Sequence, residues 1–104
     1  MSTALGANLP AELLDAIAIL GVPAWVAIIR HLASAGAQTR GQLAESLGVQ
    51  PGTVQKNLEV LRAAGVIVAG PLDYSDGAHH RIEYRLVRSV AQEMQQRLVS
   101  GLGL

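Results

Sequence analysis

The chain has 104 residues, about the modal size of one domain, which excludes a second large core. Half of the residues are hydrophobic and 15% are charged, so a low-complexity chain unable to bury enough apolar surface is excluded as well. Eight Lys and Arg balance eight Asp and Glu, so any attraction to a polyanion must come from where the charges sit.

Asn8 and Pro10 open a predicted helix over about 9–20, with Leu9, Leu13, Leu14, Ile17 and Leu20 on one stripe and Gly21 as its stop. Pro23 suits the first turn of a second helix, in which Trp25, Ile28, Ile29 and Leu32 recur at helical spacing until Gly36. Thr39 with Gln42 three residues on is a capping-box pattern and starts a third helix over about Arg40 to Leu47. Its inward positions are Leu43, Ala44 and Leu47, and Gly48 then supplies the positive φ of a sharp interhelical turn. Pro51 opens a fourth helix with Val54, Leu58 and Leu61 inward and Gly52, Lys56 and Glu59 outward, ending at Gly65.

Past Gly65 the period changes to that of a strand, Val66 to Val68, closed by Gly70 and Pro71. A return strand reads Arg81 to Val87, with Ile82, Tyr84 and Leu86 packed and Arg81, Glu83 and Arg85 wet, and Asp76-Gly77 marks a turn between the strands. Val90, Ala91, Met94 and Leu98 make a last amphipathic helix over about 89–100. The expected architecture is one winged helix-turn-helix domain over 1–104, mainly α with a small β-hairpin: helix-turn-helix about 39–64, wing about 66–87, terminal helices about 9–20 and 89–100.

In such a layout the second helix of the motif lies in a DNA major groove with its N-terminal residues at base edges, braced by the first. The expected contacts are Arg40, Gln50, Gly52, Thr53, Gln55, Lys56 and Asn57. Gln55 can pair bidentately with adenine, the Thr53 hydroxyl suits a base or phosphate, Lys56 a phosphate or guanine, and Gly52 admits a close backbone. No acidic residue lies between Glu45 and Glu59, where a negative group would face the phosphates. His79, His80 and Arg81 read as a wing tip near phosphate, where histidine charging below its ordinary pKa of about 6.5 would strengthen binding in acid.

The sequence resembles the ArsR-like winged-helix family of bacterial transcriptional regulators over roughly residues 17–98. The resemblance is carried by ILGVPAWVAIIRHL at Ile19 to Leu32, QLAESLGV at Gln42 to Val49, TVQKNLEVLRAAGVI at Thr53 to Ile67, and Tyr84-Arg85-Leu86. It implies that residues 50–56 meet DNA, that the wing around Asp76 to Arg81 runs along the flanking backbone or minor groove, and that the first and last helices form a homodimer interface. Leu9, Leu13, Ile17, Met94 and Leu98 are the expected interface residues. Many relatives sense metals through cysteines or through His and carboxylate pairs on the last helix. This chain has no cysteine and no histidine after His80, so no metal or other cofactor is expected.

His79 and His80 project to opposite sides of an extended segment and do not chelate together without another ligand. Trp25, at helical spacing from Ile28, Ile29 and Leu32, belongs to the core or a dimer interface, not to a base-stacking platform. No nucleophile, acid-base pair or phosphate loop points to an enzyme. The longest uncharged run in the N-terminal half, Ala16 to Ile29, has 14 residues with Pro23 inside, short of the roughly 20 that span a membrane. Residues 1–15 carry Glu12 and Asp15 and no basic run, so a cytoplasmic location without a signal peptide is expected. The function expected is sequence-specific binding of double-stranded DNA by a homodimeric repressor acting on an inverted repeat. The alternatives are a winged-helix module for protein contact and a DNA-binding partition or phage control protein. No feature identifies a small-molecule effector.

Overall fold

The structure is a computed structural model that describes residues 8–71 and 82–103; the turn expected at Asp76-Gly77 and the wing residues His79, His80 and Arg81 lie outside them. Helix α1, Ala11–Leu20, begins after Pro10, and helix α2, Pro23–Ala35, has its proline in the first turn, where a missing N–H costs nothing. The two meet at a bend of 80°. Among the described residues no single helix is long and apolar enough to cross a membrane.

A two-residue strand β1, Gln38–Thr39, leads into helix α3, Arg40–Leu47, and after a tight turn comes helix α4, Pro51–Ala63. Strands β2, Ile67–Pro71, and β3, Ile82–Leu86, precede helix α5, Arg88–Gly101. The sheet is antiparallel in the order β1-β3-β2, with Gln38 opposite Tyr84 and Ala69 opposite the same tyrosine on the other side.

The core lies where α2, α3 and α4 meet the sheet. Leu43, Leu58 and Leu61 are wholly buried with Ile28, Leu32, Val54, Val66 and Ile67 around them, each large side chain worth roughly 1.5–3 kcal/mol by its burial. The helical ones are at positions expected from the spacing of α2, α3 and α4, and Val66 and Ile67 come from the β-branched stretch after Gly65. The sheet departs from expectation at Ile82, which is 51% exposed while Tyr84 is buried and Leu86 half-buried. Ile82 pairs with Pro71 at the end of the ladder, beyond the helices that cover Tyr84.

Helix α1 is also turned from its expected face. Leu13, Ala16 and Ile19 are buried, whereas Leu9, Leu14 and Ile17 are exposed and Leu20 is half-buried. The reason is tertiary: α1 packs along α5, and apolar residues on both sides of α1 leave its own periodicity unable to choose a face. At Gly101 the two helices come so close that an added Cβ would fall 2.5 Å from Leu13 Cδ1. Leu13 and Met94, expected at a dimer interface, are therefore enclosed by this chain's own helices, with 4% and 8% of their surface exposed. Arg88 ties the start of α5 to the end of α2 by donating from Nη2 to the Ala33 carbonyl at 2.6 Å.

Candidate nucleic-acid interface

The pair α3–α4 is positioned by local chemistry. Thr39 Oγ1 accepts from the Gln42 backbone N–H at 3.1 Å while Gln42 Oε1 accepts from the Thr39 N–H at 2.9 Å, so the capping box closes on both sides. Gly48 adopts φ 69° and ψ 33°, left-handed values that cost a side-chain-bearing residue steric energy, and the Val49 N–H then returns to the Ala44 carbonyl at 3.0 Å. Gln50 is extended, and Pro51 starts α4 at once. The second helix of the motif is thus set against the first within three residues of turn, Gly48 to Gln50.

Burial of Val54, Leu58 and Leu61 fixes the roll of α4. Lys56 follows Val54 by half a turn and points away from the core, and Gly52, one turn earlier, shares its face. Gln50, Gly52, Thr53 and Lys56 are all exposed, and so is Arg40 at the start of α3. The backbone of Gly52 carries no side chain, and a Cβ there would meet nothing within 4 Å.

Asn57 and Gln55 are not free in this way. Asn57 Oδ1 accepts from the Trp25 indole N–H at 2.7 Å, and Asn57 Nδ2 donates to the Thr53 carbonyl at 2.8 Å. The amide expected on DNA is instead engaged at both ends within the chain, because α4's roll turns it toward α2. Trp25 is half-buried at the edge of the core, as its spacing implied. Gln55, half-buried on the opposite flank, faces an open groove that also includes Thr39, Arg40, Gln42, Ile82 and Tyr84. Its amide donates to Glu59 at 2.7 Å and accepts from Arg40 at 3.5 Å. Glu59 thus reaches toward the stretch that the sequence left free of acid, although it is also paired with exposed Arg62 at 3.4 Å.

Two partnerships were not foreseen. Trp25 and Asn57 lie 32 residues apart, and Tyr84 hydroxyl meets Gln55 Oε1 at 3.5 Å across 29. The one available signal was chemical: a half-buried indole N–H and a buried phenol hydroxyl each need an acceptor, and amides on α4 are the nearest kind to supply one.

A model of a helix-turn-helix domain family matches residues 20–68, from the end of α1 into β2. Among solved structures, the YusO protein of Bacillus subtilis superposes with a TM-score of 0.63 at 20% identity, over 95% of this chain and 68% of that one. AntR, an antimony-specific transcriptional repressor, gives 0.66 at 20% identity over 88% and 82%. A transcriptional regulator from Thermotoga maritima gives 0.62 at 19% identity over 86% and 63%. The fold is a winged helix-turn-helix. No curated protein matches this chain in sequence.

Proposed function

We propose that this chain is a transcriptional regulator of ArsR-like type, which inserts α4 into the major groove of double-stranded DNA and binds a specific sequence without catalysing a reaction. The observation that carries this reading is the outward face of α4. Gly52, Thr53 and Lys56 are exposed at the start of a helix whose opposite side is locked into the core by Val54, Leu58 and Leu61. A rigid helix end with a free ammonium, a hydroxyl and an unobstructed glycine is what a groove of base edges and phosphates can accept. Arg40, exposed at the N-terminus of α3, lines a groove with Gln55 of α4, and its guanidinium suits a flanking phosphate. Gln50 adds an exposed amide at the turn, and His79, His80 and Arg81 of the wing extend the contact along the backbone. The solved neighbours support this reading through what they are: AntR is a transcriptional repressor and the Thermotoga protein a transcriptional regulator.

The regulator works as a homodimer in the cytoplasm. Leu9, Leu14 and Ile17 of the α1 segment and Val99 and Leu102 at the end of α5 are large apolar side chains left exposed, 37–63% each. A second copy covers them, with Leu98, half-buried, at the margin. The two copies then present two α4 helices to half-sites of an inverted repeat about one helical turn apart, and occupancy excludes polymerase.

Titration of duplexes recovered from a random pool, between about 50 and 200 mM salt, tests the reading. Counterion release predicts an affinity that falls steeply and linearly in log-log form. Failure to retain any duplex in dilute buffer, or binding indifferent to salt, assigns the fold to protein contact instead.

A further inference from the structure

Gln55 joins three elements. Tyr84 Oη–H on β3 and Arg40 Nη1 on α3 each donate to Gln55 Oε1 at 3.5 Å, and Gln55 Nε2 donates to Glu59 Oε1 one turn along α4 at 2.7 Å. Ionised Glu59 only accepts and Arg40 only donates, so turning the amide end for end would set oxygen against oxygen and nitrogen against nitrogen. Tyr84 is 5% exposed, and Gln55 Oε1, at 3.5 Å, is the acceptor that its hydroxyl faces. The orientation of Gln55 is therefore held from outside its own helix.

An unconstrained glutamine recognises adenine with both ends of its amide, the oxygen accepting from N6 and the nitrogen donating to N7. Here Oε1 faces two donors, each at 3.5 Å, and one hydrogen of Nε2 is committed to Glu59. A single N–H is left for the groove that Arg40, Gln55 and Tyr84 line. We infer that Tyr84 is a positioning residue for base preference: its hydroxyl holds Gln55 as a lone donor, which selects guanine, whose major-groove edge offers two acceptors, over adenine. This rests on the DNA-binding reading and names which edge that surface takes.

The test is enrichment of bound duplexes from a random pool for the full chain, Gln55→Ala and Tyr84→Phe. Gln55→Ala loses preference at one position of the motif, and that position is guanine in the parent chain. Tyr84→Phe keeps the ring in the core, removes one of the two donors that face Oε1 so that it can accept from a base, and moves the same position toward adenine by at least about fivefold, with an unchanged salt slope. Adenine at that position in the parent motif overturns the inference even if Tyr84→Phe fails to fold. So does a Tyr84→Phe motif identical to the parent's, or a Gln55→Ala motif without a relaxed position. Enrichment of no duplex overturns the DNA-binding reading and this one together, whereas a motif lacking these features overturns this one alone.

Discussion

The indole N–H of Trp25 is bonded to Asn57 Oδ1 at 2.7 Å, which fastens the middle of α4 to the first turns of α2. The bond gives Asn57 a structural task and removes it from the set of side chains available to a ligand. Asn57→Ala leaves the half-buried indole without its acceptor, a loss of about 1–3 kcal/mol, of which better helix propensity returns up to about 0.7. The expected outcome is a fall in Tm of roughly 4–8 °C for each net kcal/mol, with the preferred DNA sequence unchanged. Thermal melting paired with duplex enrichment checks both halves. A changed motif at an unchanged Tm would place Asn57 on the DNA after all.

Lys56 is the opposite case. It is exposed and projects from the face of α4 directly away from Val54. Lys56→Ala should leave the unfolding free energy within about 0.5 kcal/mol of the parent's. It should weaken every duplex alike and reduce the slope of log affinity against log salt by about one. Fluorescence anisotropy across a salt series measures this, and an unaltered slope removes Lys56 from the phosphate contacts.

Those two residues show what could be read in advance. Chemistry confined to a few neighbours was legible: the Thr39–Gln42 capping box, the left-handed Gly48, Pro51 at a helix start and the 54, 58, 61 spacing all occur as expected. Chemistry that depends on distant chain was not. Strand β1 exists because Gln38 and Thr39 find Tyr84 and Glu83 far along the sequence, and two residues carry no period of their own. Asn57 and Lys56 are adjacent polar residues on one helix, and only the packing of α2 beside α4 tells the anchored one from the free one. The same holds for α1, where Leu13 and Leu14 are equally apolar and α5 decides which is covered.

The turn between α3 and α4 depends on backbone freedom at Gly48. No atom lies within 4 Å of where a Cβ would stand, so a substitution there meets no clash with its surroundings, only its own left-handed backbone. Gly48→Ala should therefore cost about 1–2 kcal/mol, and Gly48→Asn less, because asparagine tolerates that region. Urea unfolding of the three chains ranks them glycine, asparagine, alanine. Equal midpoints for alanine and glycine would show that the turn does not need the positive φ.

The two neighbours Leu13 and Ile17 should separate folding from assembly. Leu13 is 4% exposed and packs against Gly101 inside the chain, whereas Ile17, one turn on, is 39% exposed beside Leu14 at 41%. Leu13→Ala opens space between α1 and α5 and should destabilise by about 2–5 kcal/mol. Ile17→Asp places a charge on a face that the single chain does not use, so its fold should persist. What it should abolish is the association of two copies, because an unpaired carboxylate would be buried at their contact. Sedimentation at micromolar concentration is expected to give a dimer for the parent and a monomer for Ile17→Asp, with helical circular dichroism retained. The monomer should still bind a single half-site while losing the added affinity that the inverted repeat gives two linked copies. A parent chain that sediments as a monomer, or an Ile17→Asp chain that remains a dimer, would remove α1 from the interface and leave its exposed leucines without this role.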